Sequence, residues 1–259
     1  MNPSGRFSTI HRNPIVRSHI MIELLLADPW FLVLNKPIDL LTQAPPHLES
    51  VQRRLVEQLA PSMPATPFIG IPHRLDRMTS GAMVVARNQR ALRRLCDQFA
   101  SRKVLKEYIA WVHGSVPEQG EWVDTLRKVP DEPRAEVVDA GNEDGRLATL
   151  SYRLVHTMHC PDGTCRSLVR IALGTGRMHQ IRLQFGSRGH SIIGDALYGS
   201  ACLCGDAQPT LREPPIALHA FRIGFHHPKN GEFVSVHALP PAEFPWQIEP
   251  EMEKSLLCD

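Results

Sequence analysis

The chain has 259 residues, 42% of them hydrophobic and 22% charged, with a formal net charge of +2. That length allows one large domain or two smaller ones, with a core that needs no disulfide or metal, and the composition excludes wholesale disorder. No apolar run reaches about 18 residues, because Glu23, Asp28 and Pro29 interrupt the longest ones, so a membrane-spanning helix is excluded and no membrane partner is expected.

Residues 1–20 carry three arginines and no acids, lack periodicity, and read as a flexible basic arm. They contain no apolar stretch of the kind a secretory signal needs, so the cytoplasm is the expected address. Phe31–Leu34 is a short apolar run ending at Asn35-Lys36-Pro37, a strand entering a turn. Val51, Leu55 and Leu59 have helical spacing, stopped by Pro61. Ala82–Ala86 reads as a buried strand. Asn88 then caps a helix whose apolar face holds Leu92, Leu95, Cys96 and Phe99 and whose other faces hold Arg90, Arg93, Arg94 and Asp97. Further strands are expected at Tyr108–Val112, Ala148–Val155, Ser167–Leu173 and Phe233–His237. Segments 113–147 and 199–216 are rich in Pro, Gly and acids and read as surface excursions, and 246–259 as an acidic tail. Many strands with few helices predict an α+β fold with a mixed or antiparallel sheet.

Between Arg87 and Glu107 there are seven basic residues against two acidic ones, a stripe that would suit phosphate or simply a solvated helix face. The six cysteines do not form a dense disulfide framework. His156, His159, Cys160 and Cys165, with Cys202 and Cys204, lie close in sequence but match zinc-knuckle spacing poorly, so loop thiols are expected and no metal site is assigned.

The densest cluster of functional groups is Pro72-His73-Arg74-Leu75-Asp76-Arg77-Met78-Thr79-Ser80-Gly81, just before the buried strand. An arginine within about 4–6 Å of Asp76 would hold its carboxylate ionised, as a nucleophile, a base or a metal ligand. The same composition also describes a surface turn closed by an Arg–Asp ion pair.

His-Arg-Leu-Asp-x-x-Thr-Ser-Gly resembles the catalytic motif of the RluA-type pseudouridine synthases. The resemblance continues through Leu32–Pro37, Lys106–Gly114, Gly174–Arg182, His190–Gly199 and Leu218-His219-Ala220, all in family order across 22–245. It departs at Met178, where Thr is frequent. The family often carries an N-terminal S4-type RNA-binding domain; residues 1–20 are too few for one, so recognition is expected from the catalytic domain at 21–245, its insertions and the arm.

The resemblance implies an α+β fold built on a mixed, mostly antiparallel sheet with flanking helices and a central active-site cleft. It implies conversion of uridine in RNA to pseudouridine: the N1–C1′ bond breaks, the base rotates, and C5 bonds to C1′, without cofactor or metal. It makes Asp76 the nucleophile, with Arg182 paired to it; the carboxylate attacks the base or the sugar, or takes a sugar proton. Tyr108 stacks on uracil and helps remove the C5 proton, and Arg74 fills the space of a flipped nucleotide. His179 and Gln180 order a strand or line the cleft, while Lys36, Lys106 and Arg177 meet RNA. The expected substrate is ribosomal RNA, with transfer RNA the other candidate, and the expected state is a monomer. The competing readings are a non-catalytic RNA-binding module that keeps the fold and a metal-dependent hydrolase using the Cys/His insertions.

Overall fold

A computed structural model describes residues 21–62, 65–160, 163–202, 214–241, 246 and 248–257. The arm at 1–20, Cys204 and Cys258 lie outside them. Among the described residues no helix is long and apolar enough to cross a membrane.

Strand β1 (Glu23–Ala27) pairs with β2 (Phe31–Lys36), and β2 with β3 (Ser80–Ala86), both antiparallel. The apolar runs in β2 and β3 are continuous because both faces of these strands are buried. Leu32, Leu34, Met83 and Val85 pack against Val51 and Leu55 of helix α1 (Val51–Leu59) on one face. Phe31, Val33, Val84 and Ala86 pack against Ala91 and Leu95 of helix α2 (Gln89–Ala100) on the other. Ser50 caps α1 by accepting from Arg53 N–H, and Asn88 caps α2 by accepting from Ala91 N–H, as the sequence predicts. Cys96 does not join the apolar face of α2. The buried stripe centres on Ala91 and Leu95, with Leu92 and Phe99 beside them, and this turns Cys96 to solvent.

The second half of the sheet is antiparallel. Strand β4 (Leu105–His113) pairs with β8 (Cys165–Leu173), β8 with β7 (Arg146–His159), β7 with β5 (Gln119–Lys128), and β5 with β6 (Ala135–Val138). Segment 113–147 is therefore not a mere surface excursion. Its prolines and most of its acids sit in turns, Glu121 lies on the exposed side of β5, and Gly120 and Asp124 lie on the covered side, against Tyr152 and Gln184. Strand β9 (Leu218–His226) joins the two halves, parallel to β3 and antiparallel to β4, and β10 (Phe233–His237) pairs with β9. The order β1-β2-β3-β9-β4-β8-β7-β5-β6 is the mixed, mostly antiparallel α+β sheet that was expected.

The junction of β3 and β9 is tight. Gly81 has φ +113, and a Cβ there would lie 2.2 Å from Ala220 O, so only glycine fits. Next to it the buried Ser80 hydroxyl meets His219 Nδ1 at 2.8 Å, and His219 Nε2–H donates to Ala238 O at 3.0 Å. Burial pushes the His219 imidazole down to about 4, so it is neutral at neutral pH.

Helix α3 (Gln180–Gly186) packs Phe185 against the rings of Trp122 and Tyr152. The C-terminal residues form no free acidic tail. Trp246 is buried, and helix α4 (Pro250–Leu257) places Met252 and Leu256, four residues apart on one face, in the core. Arg153 and Arg170 donate to its last carbonyls, Ser255 O at 3.1 Å and Leu256 O at 2.8 Å.

Candidate active site

The segment 72–79, between α1 and β3, has no repeating backbone structure and is held by side chains from 36–42. Lys36 Nζ donates to Arg77 O at 3.1 Å and to Pro37 O at 2.8 Å. The buried Thr42 hydroxyl donates to Leu75 O at 2.9 Å and accepts from Leu75 N–H at 3.2 Å. Arg77 forms an ion pair with Asp39, and Thr79 N–H donates to Asp76 O at 3.1 Å, closing a turn. The side chain between these anchors, Asp76, points into a cleft of about 780 Å³.

Of the two arginines flanking Asp76 in sequence, Arg77 faces Asp39 instead. One expectation for this segment needs correction. Lys36 is 0% exposed, so it cannot contact an RNA phosphate. Its ammonium is spent on the backbone of the Asp76 loop, and burial lowers its pKa to about 7 against the opposing pull of Asp76 and Asp39.

Asp76, Tyr108 and Arg182 come together in the cleft. Tyr108 sits on β4 where the register with β9 shifts between Glu107 and Tyr108, an irregularity of the kind that re-aims a side chain. Burial, with a smaller push from Asp76, raises the Tyr108 phenol well above its ordinary range, so it stays protonated at neutral pH. Arg182, on α3, is 6% exposed. Its Nη1 lies 4.0 Å from Asp76 Oδ2, within ion-pair reach, but its main partner is another carboxylate. Arg182 donates to Asp195 from Nε at 2.6 Å and from Nη2 at 2.8 Å, a bidentate pair that leaves Nη1 towards Asp76. The burial of Asp195, at 1% exposure, explains this choice: a buried carboxylate must be paired.

His179 and Gln180 line the cleft from the start of α3, and lie in no strand themselves. His179 precedes the helix in a left-handed conformation, φ +50, with Nε2 3.9 Å from Asp76 Oδ2 and Nδ1 3.0 Å from the Tyr198 hydroxyl. That hydroxyl also accepts from Ala135 N–H at 2.9 Å, which ties His179 to β6 through Tyr198. Gln180 Nε2 donates to Thr149 O at 3.0 Å, while its Oε1 accepts from Thr175 Oγ1 at 2.7 Å and from Arg177 N–H at 3.0 Å. It thereby fixes the Gly174–Arg177 turn.

The remaining residues expected to meet RNA lie at the rim. Arg74 is exposed on the cleft wall and has no hydrogen-bond or ion-pair partner among the described residues. Arg177 lines the cleft and donates through Nε to Leu147 O at 3.0 Å. Lys106 is half-buried beside the cleft, with Nζ on Thr175 O at 3.2 Å.

Sequence reasoning assigned no role to Asp195, Tyr198 or Thr42, and it missed the rim supplied by Lys128 and Asp131–Pro133. Asp195 and Tyr198 were visible only as members of the His190–Gly199 block; Thr42 carried no signal. Among the described residues no group of three His, Cys, Asp or Glu side chains is arranged to hold a metal ion, and Cys160, Cys165 and Cys202 are free thiols. A carboxylate facing a guanidinium, beside a flat aromatic ring and an exposed arginine, can act as a nucleophile or base on a planar ligand held in the cleft.

Comparison with known proteins bears on what that ligand is. The family model described as RNA pseudouridylate synthase matches residues 30–187. The dual-specificity RNA pseudouridine synthase RluA of Vibrio parahaemolyticus is 31% identical over 90% of this chain and 87% of its own length. The ribosomal large subunit pseudouridine synthase D of Xanthomonas campestris pv. campestris is 33% identical over 86% of this chain and 67% of its own. Among solved structures, human RNA pseudouridylate synthase domain containing 1 has a TM-score of 0.66 at 24% identity, covering 92% of this chain and 89% of that one, and shares the fold. A family match over more than half the chain, with relatives above 30% identity along most of it, is decisive: the chain belongs to the RNA pseudouridylate synthase family, and is an enzyme of that isomerase family.

Proposed function

We propose that the protein isomerises uridine to pseudouridine in structured RNA, with Asp76 as nucleophile. The observation that carries the reading is the Asp76 carboxylate projecting into the cleft opposite Arg182, with the Tyr108 ring beside it.

A uridine in folded RNA must leave its stack to reach Asp76, at a cost of a few kcal/mol. Arg74, exposed and unpaired at the cleft wall, takes the space the base vacates, its guanidinium plane standing in for the lost stacking. Uracil stacks on Tyr108. Because burial keeps that phenol protonated, Tyr108 acts as a platform and hydrogen-bond donor, and it takes the C5 proton only by passing its own hydroxyl proton to the Asp76 carboxylate as that group is released. The Asp76 carboxylate attacks base or sugar, the N1–C1′ bond breaks, the trapped base turns, and C5 closes on C1′. Arg182 holds the charge of Asp76 in place, and Asp195 holds Arg182. Arg177 and Lys106 at the rim meet the RNA backbone. Ribosomal RNA is the favoured substrate, in keeping with the name of the Xanthomonas relative, and transfer RNA is the other. The protein works as a monomer.

The test is release of tritium from C5 of uridine placed in ribosomal RNA and, separately, in transfer RNA transcripts. The wild type should release it from ribosomal RNA, and Asp76→Asn should be slower by at least about 1,000-fold. Release by Asp76→Asn at the wild-type rate would remove Asp76 as nucleophile. RNA binding without release from either pool would favour a module that only binds.

A further inference from the structure

The basic residues between Arg87 and Glu107 do not form one surface. Arg87 donates to Asp28 O at 3.0 Å, Arg90 lies 5.8 Å from the centre of the Trp30 ring, and Arg94 donates to Pro228 O. These three are occupied in holding α2 to its neighbours.

Arg102 and Lys103, in the turn after α2, are different. Both are exposed and neither side chain has a hydrogen-bond or ion-pair partner among the described residues. They open a groove of about 680 Å³ that continues past Lys106, over Ala172–Gly174, to Glu121 and Val123 of β5, with Phe233 on its flank. Phe233 is 54% exposed, unusual for a large aromatic side chain in a strand. Burial and the charge of Arg102 both lower the Lys106 pKa, so these cations repel one another and an anion between them would relieve both.

The groove adjoins the active-site cleft. The two share Leu173 and are separated by the Gly174–Gly176 turn. That turn raises little side chain between them: a Gly174 Cβ would point inward onto Thr149 Oγ1, Thr175 is buried, and Lys106 Nζ lies 3.6 Å from where a Gly176 Cβ would be. A polynucleotide leaving the cleft can cross it beside a lysine. A cationic track with an exposed aromatic ring is the combination that holds single strands: phosphates on the cations, a base on the ring.

Resting on the reading of the cleft as an RNA-modifying site, we propose that this groove binds the single-stranded nucleotides flanking the target uridine, with phosphates on Arg102 and Lys103 and a base stacked on Phe233. Only one groove residue, Glu121, is acidic, so the charge balance favours a polyanion.

The experiment uses the full chain and a fluorescein-labelled single-stranded RNA with one uridine, comparing wild type, Arg102→Glu/Lys103→Glu and Phe233→Ala. Binding is read by anisotropy at several salt concentrations, and turnover by C5 tritium release. The double reversal should weaken binding about 10-fold or more near 0.1 M salt, and it should reduce the slope of log affinity against log salt by about 1.4, the value for two single-strand phosphate contacts. Phe233→Ala should weaken binding about 5- to 150-fold with little change in that slope. All three residues are exposed, so an unchanged melting temperature identifies folded variants. Wild-type affinity and slope in both variants would overturn the groove, including the case in which it serves an acidic protein instead. Anisotropy needs no turnover, so a wild type inert on every RNA would refute the reading of the cleft while the groove was still tested.

Discussion

Replacing Asp195 by Asn probes the pair that aims Arg182. Asp195 is 1% exposed and accepts two guanidinium hydrogen bonds, at 2.6 and 2.8 Å. Asparagine keeps the shape but turns one acceptor into an amide donor, so one bond becomes a donor–donor contact and a guanidinium that is only 6% exposed loses its counter-charge. Removing one partner of a buried pair costs about 3–5 kcal/mol. Arg182 has a second carboxylate, Asp76, 4.0 Å away, which recovers part of the loss and argues for the lower end, about 3 kcal/mol. At about 2–4 °C per kcal/mol for a chain of this size, the melting temperature should fall by about 6–12 °C. Arg182 would also turn fully onto Asp76 and hold its carboxylate, the proposed nucleophile, in a direct pair. Tritium release, assayed well below both melting temperatures, should therefore fall further than the folded fraction explains. A melting temperature within 2 °C of wild type, as an order-of-magnitude bound, together with an unchanged rate would refute the argument that Asp195 carries the pair.

Gly81→Ala should destabilise by about 3 kcal/mol or more, since it combines a positive φ with a backbone clash at Ala220 O that forces β3 from β9; an unshifted urea midpoint would contradict this. Burial lowers the His219 pKa to about 4 and that of His73 to about 3, against an ordinary value near 6.5 in the unfolded chain. Below pH ~6.5 the unfolded chain takes up protons that the folded one refuses, so stability is lost as pH falls from about 6.5 towards 4. His219→Gln should flatten that part of the profile, and equal slopes would exclude His219 as a cause. Lys36 acts in a higher window. The folded pKa of about 7 lies below the unfolded value, so stability rises with pH between about 7 and 10.5, and Lys36→Met should lack that rise in urea titrations.

How much of this was legible in the sequence depends on where each signal resides. Strands β2 and β3 and helices α1 and α2 could be read because double-sided burial and helical spacing leave runs and periods in the chain. Strand β5 was hidden because only one face is covered, and Glu121 and Asp124 disguise the alternation. Strand β9 was seen only as the motif at Leu218–Ala220, because Arg222 and Gly224 break its apolar run. In the site, Asp76, Tyr108 and Arg182 followed from motif resemblance. The roles of Asp195 and Thr42 are geometric, since each matters for what it grips, and gripping leaves no pattern along the chain. Lys36 misled for a physical reason: lysine is almost never fully buried, so surface exposure was the reasonable expectation.

The place of β9 bears on how the molecule is made. The strands before it form two separate pieces, β1–β3 and β4–β8, and β9, from Leu218 to His226, is laid between them. Asp76 belongs to the first piece, Tyr108 and Arg182 to the second. A nascent chain emerging from the ribosome therefore carries half of the proposed active site on each of two open-edged sheets until the residues of β9 have cleared the exit. Long-range pairing of this kind is slow and leaves strand edges exposed while it waits. A growing chain of this enzyme should be silent towards RNA, and its catalytic power should appear abruptly, late in synthesis, when one strand closes the gap.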